Sequence, residues 1–114
     1  MNDDGVQTTI QDLQQYVKVK RHNVTYFLYV TSETTARDIK RMMRQFTGRK
    51  CHDIHLVIPR YNNRKFNGRI SFEQAILQNG ETLIMQLRKP GTDDYETLEE
   101  VTGDYNTTTA TLYR

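Results

Sequence analysis

Val17 and Val19 alternate with Lys18 and Lys20, the period-two pattern of a strand with one buried and one wet face. The return arm, "TYFLYV", is apolar or aromatic at nearly every position. The stretch "YVKVKRHNVTYFLYV" therefore reads as a β-hairpin turning around Arg21 to Asn23. Alternation sends Tyr26, Leu28 and Val30 inward, and leaves Thr25, Phe27 and Tyr29 outward beside Tyr16 of the first arm. The period then changes. Ala36, Ile39, Met43 and Phe46 recur at spacings of three and four, which predicts one apolar helical stripe. Thr35 is placed to cap that helix, Asp38 to favour its first turn and Gly48 to end it. Arg37, Lys40, Arg41 and Arg44 fill the other helical faces.

"DIHLVIP" is a short β-rich run ended by Pro59. "RYNNRKFNGR" reads as a polar loop or short edge strand with a turn at Asn67-Gly68. "FEQAIL" reads as a single helical turn with Phe72, Ala75 and Ile76 on one side. Gly80 turns the chain into a last strand whose inward residues are Leu83, Met85 and Leu87. One helix laid across a mixed sheet is the economical way to bury a single apolar stripe. The expected class is α+β, with the element order of a β-grasp roll. Three segments follow: a flexible N-terminal extension over 1–14, a domain over 15–89, and an acidic, Thr-rich tail over 90–114. Pro90-Gly91 is taken as the boundary, and the tail is expected to be disordered when alone.

Composition narrows the class. A chain of 114 residues suits one domain with some tail, and 36% hydrophobic residues leave part of it outside a packed core. No apolar run approaches the roughly 18 residues of a membrane span, and "MNDDGVQTTIQD" does not read as a signal peptide. A lone cysteine excludes an internal disulfide framework, so the expectation is a protein of the nucleus, the cytoplasm or both. Net charge is only +2, but 15 of the 16 basic residues fall in 15–89 against five acids. Six acids and one arginine fall in 90–114. A basic body between acidic ends points to steering of a charged partner, or to a tail that folds back.

Catalytic chemistry finds little purchase. "CHDIH" gathers Cys51, His52 and His55, but a structural zinc site wants four converging ligands and no second pair exists. There is no Gly-rich phosphate loop, no GxSxG and no paired carboxylates in a plausible pocket. The expectation is a non-enzyme with no metal and no cofactor. Lys18, Lys20, Arg21, Arg60, Arg64, Lys65 and Arg69, interleaved with Tyr61 and Phe66, form a basic patch that could grip nucleic acid by phosphate contact and base stacking. Nucleic acid is therefore carried as an alternative partner.

The order and apolar positions over 15–89 resemble ubiquitin-like domains. "ETLIMQL" is similar to the last strand of that family, and Phe72, Ala75 and Leu77 of "FEQAIL" match the apolar positions of its short helical turn. "VKRHNVTYF" and "TTARDIKRMM" narrow the resemblance to elongin B. The match rests on Lys20, Arg21 and His22, on Thr25 to Phe27, on Ile39, Lys40 and Arg41, and on a polar tail after the last strand. That resemblance implies an adaptor that pairs with an elongin C-like subunit, in a cullin-type ubiquitin ligase or a transcription elongation complex. The diglycine terminus of conjugated relatives is missing, so no conjugation is expected. The insertion "RYNNRKFNG" is longer and more basic than the family's. Tyr16, Phe27 and Tyr29 are expected to form a partner-binding edge, because the second arm of the hairpin is an edge strand in such rolls and exposed aromatics make good anchors. A second patch of His55, Val57 and Ile84 lies where ubiquitin displays its recognition surface, which makes recognition by ubiquitin receptors the other reading.

Overall fold

The hairpin forms in the expected register. In β1 (Gln15–Arg21) and β2 (Val24–Val30), Val17 faces Leu28 and Val19 faces Tyr26. Val17, Val19, Leu28 and Val30 are buried, as alternation requires. The computed structural model describes residues 15–102 and the backbone of 110–113, so the extension expected over 1–14 lies outside the described residues.

Helix α1 (Ala36–Thr47) starts where its punctuation predicts. The Thr35 hydroxyl accepts from the Asp38 N–H at 3.1 Å, and the Asp38 carboxylate accepts from the Thr35 N–H at 3.0 Å. This reciprocal box satisfies two N–H groups the first turn would otherwise leave unpaired. Gly48 ends the helix at φ +71°, a conformation that costs glycine little. Ala36, Ile39 and Met43 are fully buried, and the Phe46 ring packs 4.9 Å from that of Tyr26. Lys40 departs from expectation. It joins the buried set at 9% exposure, because residues one and four positions away from Ile39 and Ala36 lie at the margin of the stripe.

A 3₁₀ turn over Cys51–Asp53 leads into β3 (Ile54–Ile58). A second, over Pro59–Tyr61, leads to the two-residue strand β4 (Arg64–Lys65). The polar loop is thus a short edge strand, reached through Asn62 and Asn63 at positive φ. "FEQAIL" forms hydrogen-bonded turns, with the Ala75 N–H donating to the Ser71 carbonyl at 2.9 Å. Ile76 sits at φ +57° and is 69% exposed, while Phe72, Ala75 and Leu77 are buried. The assignment of Ile76 to the inner side is corrected. The left-handed residue ends the turn, so the next apolar side chain, Leu77, takes the inward place.

Strand β5 (Glu81–Leu87) runs through the middle of the sheet, parallel to β1 and antiparallel to β3. The order is β4-β3-β5-β1-β2-β6, with β6 (Ala110–Tyr113) parallel to β2. Helix α1 covers one face. Between helix and sheet, Ile39, Met43, Ile54, Leu56, Leu83 and Met85 reach at most 1% exposure. Each such side chain contributes about 1.5–3 kcal/mol on leaving water. This mixed sheet with one main helix is an α+β β-grasp roll.

Two expectations about the tail are overturned. Pro90-Gly91 is a reversal rather than a boundary: the Lys89 N–H donates to the Asp94 carbonyl at 2.8 Å, and Arg88 bridges Tyr95. The chain then crosses the sheet and forms α2 (Leu98–Thr102), capped by a second reciprocal box between Thr97 and Glu100. The segment 90–102 is therefore part of the fold, and β6 takes the outer place expected for β2. Unpaired groups along Val24–Phe27 are met by the chain's own C-terminal strand.

Candidate functional site

The face of the sheet opposite α1 carries both sets of outward residues. Its grid follows from register. Val57 pairs with Ile84, Ile84 with Lys20 and Lys20 with Thr25 at one end. Toward the other end, Thr82 pairs with Lys18, Lys18 with Phe27 and Tyr16 with Tyr29.

The first end is covered. Val57 is 4% exposed, Ile84 7% and Val101 of α2 1%, and these three form a second small core with Leu98 against it. His55, the third member of the expected patch, lies under Tyr95 with ring centroids 3.5 Å apart and nearly parallel planes. The expected recognition patch of His55, Val57 and Ile84 is thus corrected to an internal docking site. Alternation pointed these side chains away from the helix, but an amphipathic segment later in the chain removes them from water.

Polar contacts fix that segment. Arg21 grips the Glu96 carboxylate with two N–H groups, and the same carboxylate accepts from the Leu87 N–H at 2.9 Å. The Gln86 amide donates to the Glu96 carbonyl at 2.6 Å, and the His22 N–H donates to the Val101 carbonyl at 2.8 Å. The Tyr95 hydroxyl donates to the His52 carbonyl. Arg88 donates to Asp53 at 2.7 Å, and Lys89 reaches Glu100 at 3.1 Å. Burial alone would raise the Glu96 carboxyl, but the Arg21 guanidinium and the Leu87 N–H outweigh it and hold it below the usual carboxylate range. The Arg88 hydrogen bond likewise holds Asp53 low. Burial, then the charges of Lys65 and Lys40, push His55 down.

The second end is only partly covered. Tyr29 is 70% exposed, and the half-buried rings of Tyr16 and Phe27 stack at 5.8 Å. Tyr16 is held by its neighbours: its N–H donates to the Asn79 side chain at 2.9 Å and its carbonyl accepts from the Gly80 N–H at 2.8 Å. A Cβ at Gly80 would come within 3.2 Å of the Tyr16 hydroxyl, so glycine there leaves room for the hydroxyl end of the ring. Tyr16, Phe27, Leu28 and Tyr29 line a shallow cleft of about 240 Å³.

The seven basic residues are not brought together. Lys18 and Lys20 lie on β1, whereas Arg64 and Lys65 lie on β4, three strands away. Arg21 is committed to Glu96. Arg60 is committed to the buried Glu81, with Nη2 at 2.7 Å. Arg64 donates to the Ala75 carbonyl at 2.8 Å, and Arg69 is exposed on the loop beyond. Arg60 and Arg64 each place a guanidinium 4.4 Å from the Tyr61 ring, and Phe66 is buried at 1% exposure. Neither ring is offered to a base, so the stacking half of the nucleic-acid alternative is not assembled. Among the described residues, no group of three His, Cys, Asp or Glu side chains converges to hold a metal ion. No described helix is long and apolar enough to cross a membrane.

Sequence reasoning missed the self-covering segment, although "TLEEV" carries the capping-box signal ahead of Val101.

No family model and no curated protein matches the chain. Solved structures do. The N-terminal ubiquitin-like domain in the 4931431F19Rik protein aligns with a TM-score of 0.59 at 12% identity, over 70% of this chain and 80% of that one. ATBAG1, crystallised in complex with HSP70, aligns with a TM-score of 0.60 at 12% identity, over 68% of this chain and 42% of that one. The chain thus spans less than half of the second structure's length. The likeness is one of fold, and the fold is ubiquitin-like.

Proposed function

We propose that the chain is a non-catalytic adaptor that binds another protein through the aromatic end of its outer sheet face, in the manner of elongin B. The partner on this reading is an elongin C-like subunit, within a cullin-type ubiquitin ligase or a transcription elongation complex in the nucleus or cytoplasm. The observation that carries the reading is the contrast within one face. The chain covers Val57 and Ile84 with its own residues, whereas Tyr29 is 70% exposed beside an apolar cleft lined by Tyr16, Phe27 and Leu28. An exposed aromatic side chain beside an apolar cleft on a rigid sheet is suited to anchoring a partner. A structural neighbour was crystallised in complex with HSP70, which also favours a protein partner. Because β6 pairs with β2 along Val24–Phe27, the binding element is the side-chain face rather than an open backbone edge.

Co-expression with an elongin C-like protein, followed by mass determination in high salt, tests this directly. A one-to-one complex is expected, and Tyr29→Asp should abolish it. A monomer, or a complex indifferent to Tyr29→Asp, would overturn the reading.

A further inference from the structure

On the opposite side of the molecule, Arg37, Lys40, Cys51, His52 and Gly68 line a pocket of about 180 Å³. None of the five is acidic. Arg37 and Lys40 are three residues apart on α1 and so project from the same helical face. Cys51 and His52 come from the 3₁₀ turn before β3, and Gly68 from the loop after β4. The loop is held to the helix by the Arg37 N–H, which donates to the Gly68 carbonyl at 3.0 Å. A Cβ at Gly68 would meet nothing within 4 Å.

Lys40 is the unusual member. It is 9% exposed, yet among the described residues no carboxylate pairs with it, and the ionisable groups that feel its charge are the Cys51 thiol and the His55 ring. Lys40 lines the pocket with the little exposure that it retains. The nearby acids are committed elsewhere. Asp38 caps α1 and lies 3.7 Å from Arg41, while Asp53 is held by Arg88 at 2.7 Å and sits 3.6 Å from His52. Burying a cation without a counter-charge is costly. Burial lowers the pKa of Lys40, in keeping with a charge that nothing in the chain neutralises.

We propose that this pocket binds a small tetrahedral dianion of the phosphate class. Arg37 and Lys40 supply two positive charges, which match a dianion better than a single carboxylate, with the His52 ring at the rim as a further donor. The site is separate from the aromatic cleft and does not depend on what binds there.

The test is titration of the full chain with inorganic phosphate at constant ionic strength, followed by amide shifts in NMR. Saturable shifts are expected at Arg37, Cys51, His52 and Gly68. Lys40→Met keeps the buried stem but removes the charge, and should weaken binding about tenfold, the worth of one charge-assisted hydrogen bond. Arg37→Gln, at an exposed position, should weaken it in the same direction and serves if Lys40→Met fails to fold. Lys65→Met, on β4, should bind as the parent does. Acetate at the same ionic strength should not saturate these amides. Equal responses to acetate and phosphate, shifts spread over all basic residues without saturation, or unchanged affinity in the Lys40 and Arg37 variants would each overturn the proposal.

Discussion

The two ends of the outer sheet face obey the same alternation but have opposite fates. Around Val57 and Ile84 the chain lays down Tyr95, Leu98 and Val101, and the apolar surface becomes a second core. At the other end the Tyr16 and Phe27 rings stack on each other, and with Tyr29 they border a cleft. A strand's own pattern decides which side chains leave the main core. It does not decide whether another part of the chain then covers them. That second decision depends on segments distant in sequence, here brought in by the Pro90-Gly91 reversal and the Arg21–Glu96 pair.

The largest break in this contrast should come from Val101→Asp. A carboxylate replacing a side chain at 1% exposure gives up its hydration against Val57 and Ile84. A loss of about 3 kcal/mol is expected, read as a lower melting temperature. Hydrogen exchange should show the 88–102 segment released and the His22 amide unprotected. If the covered end stays protected, α2 is not what covers it.

Acid should loosen the same end by degrees. The pKa of His55 is depressed in the folded protein, so its contribution is present above its ordinary 6.5 and is lost as pH falls through the lower folded value. Glu96 and Asp53 are depressed too, so theirs is present above their ordinary 4.5 and 3.8 and is lost at still lower pH. Exchange at the Val101 and Glu96 amides, corrected for intrinsic rates, should therefore report opening as pH falls. The Tyr16–Phe27 stack holds neither a carboxylate nor an imidazole of its own and should respond less. Equal opening at both ends would remove the distinction between them.

Glu96→Gln is the sharper and smaller probe. It keeps an acceptor for the Leu87 N–H but gives up the charge-assisted bonds to Arg21. About 1 kcal/mol should be lost, with most of the acid response of the 88–102 segment below pH 4.5. Tyr29→Asp should have the smallest effect on stability, within about 0.5 kcal/mol for an exposed position, while removing partner binding. A large loss of stability would mean that the aromatic end is structural.

Much of the main core was legible in the sequence. Val17, Val19, Ile39, Met43, Leu83, Met85 and Leu87 follow the two periods and are buried, and Thr35, Asp38 and Gly48 bound the helix as their chemistry requires. Ile76 was misread because one residue at positive φ switches the inward position from 76 to 77, and helical spacing cannot register that. Lys40 was read as solvated because its type is usually exposed, whereas its place beside the apolar stripe buries it.

Local chemistry thus determined the elements: alternation, helical stripe, caps and turns act over a few residues, and their physics travels with the sequence that encodes them. Tertiary structure alone decided which outward residues meet water. The acidic tail and basic body were visible as composition, but the match of Glu96 to Arg21, 75 residues away, and of Val101 to Val57 and Ile84, exists only once segments distant in sequence share a face. Burial is a property of neighbours in space, and the neighbours of a sheet face are supplied by the whole chain.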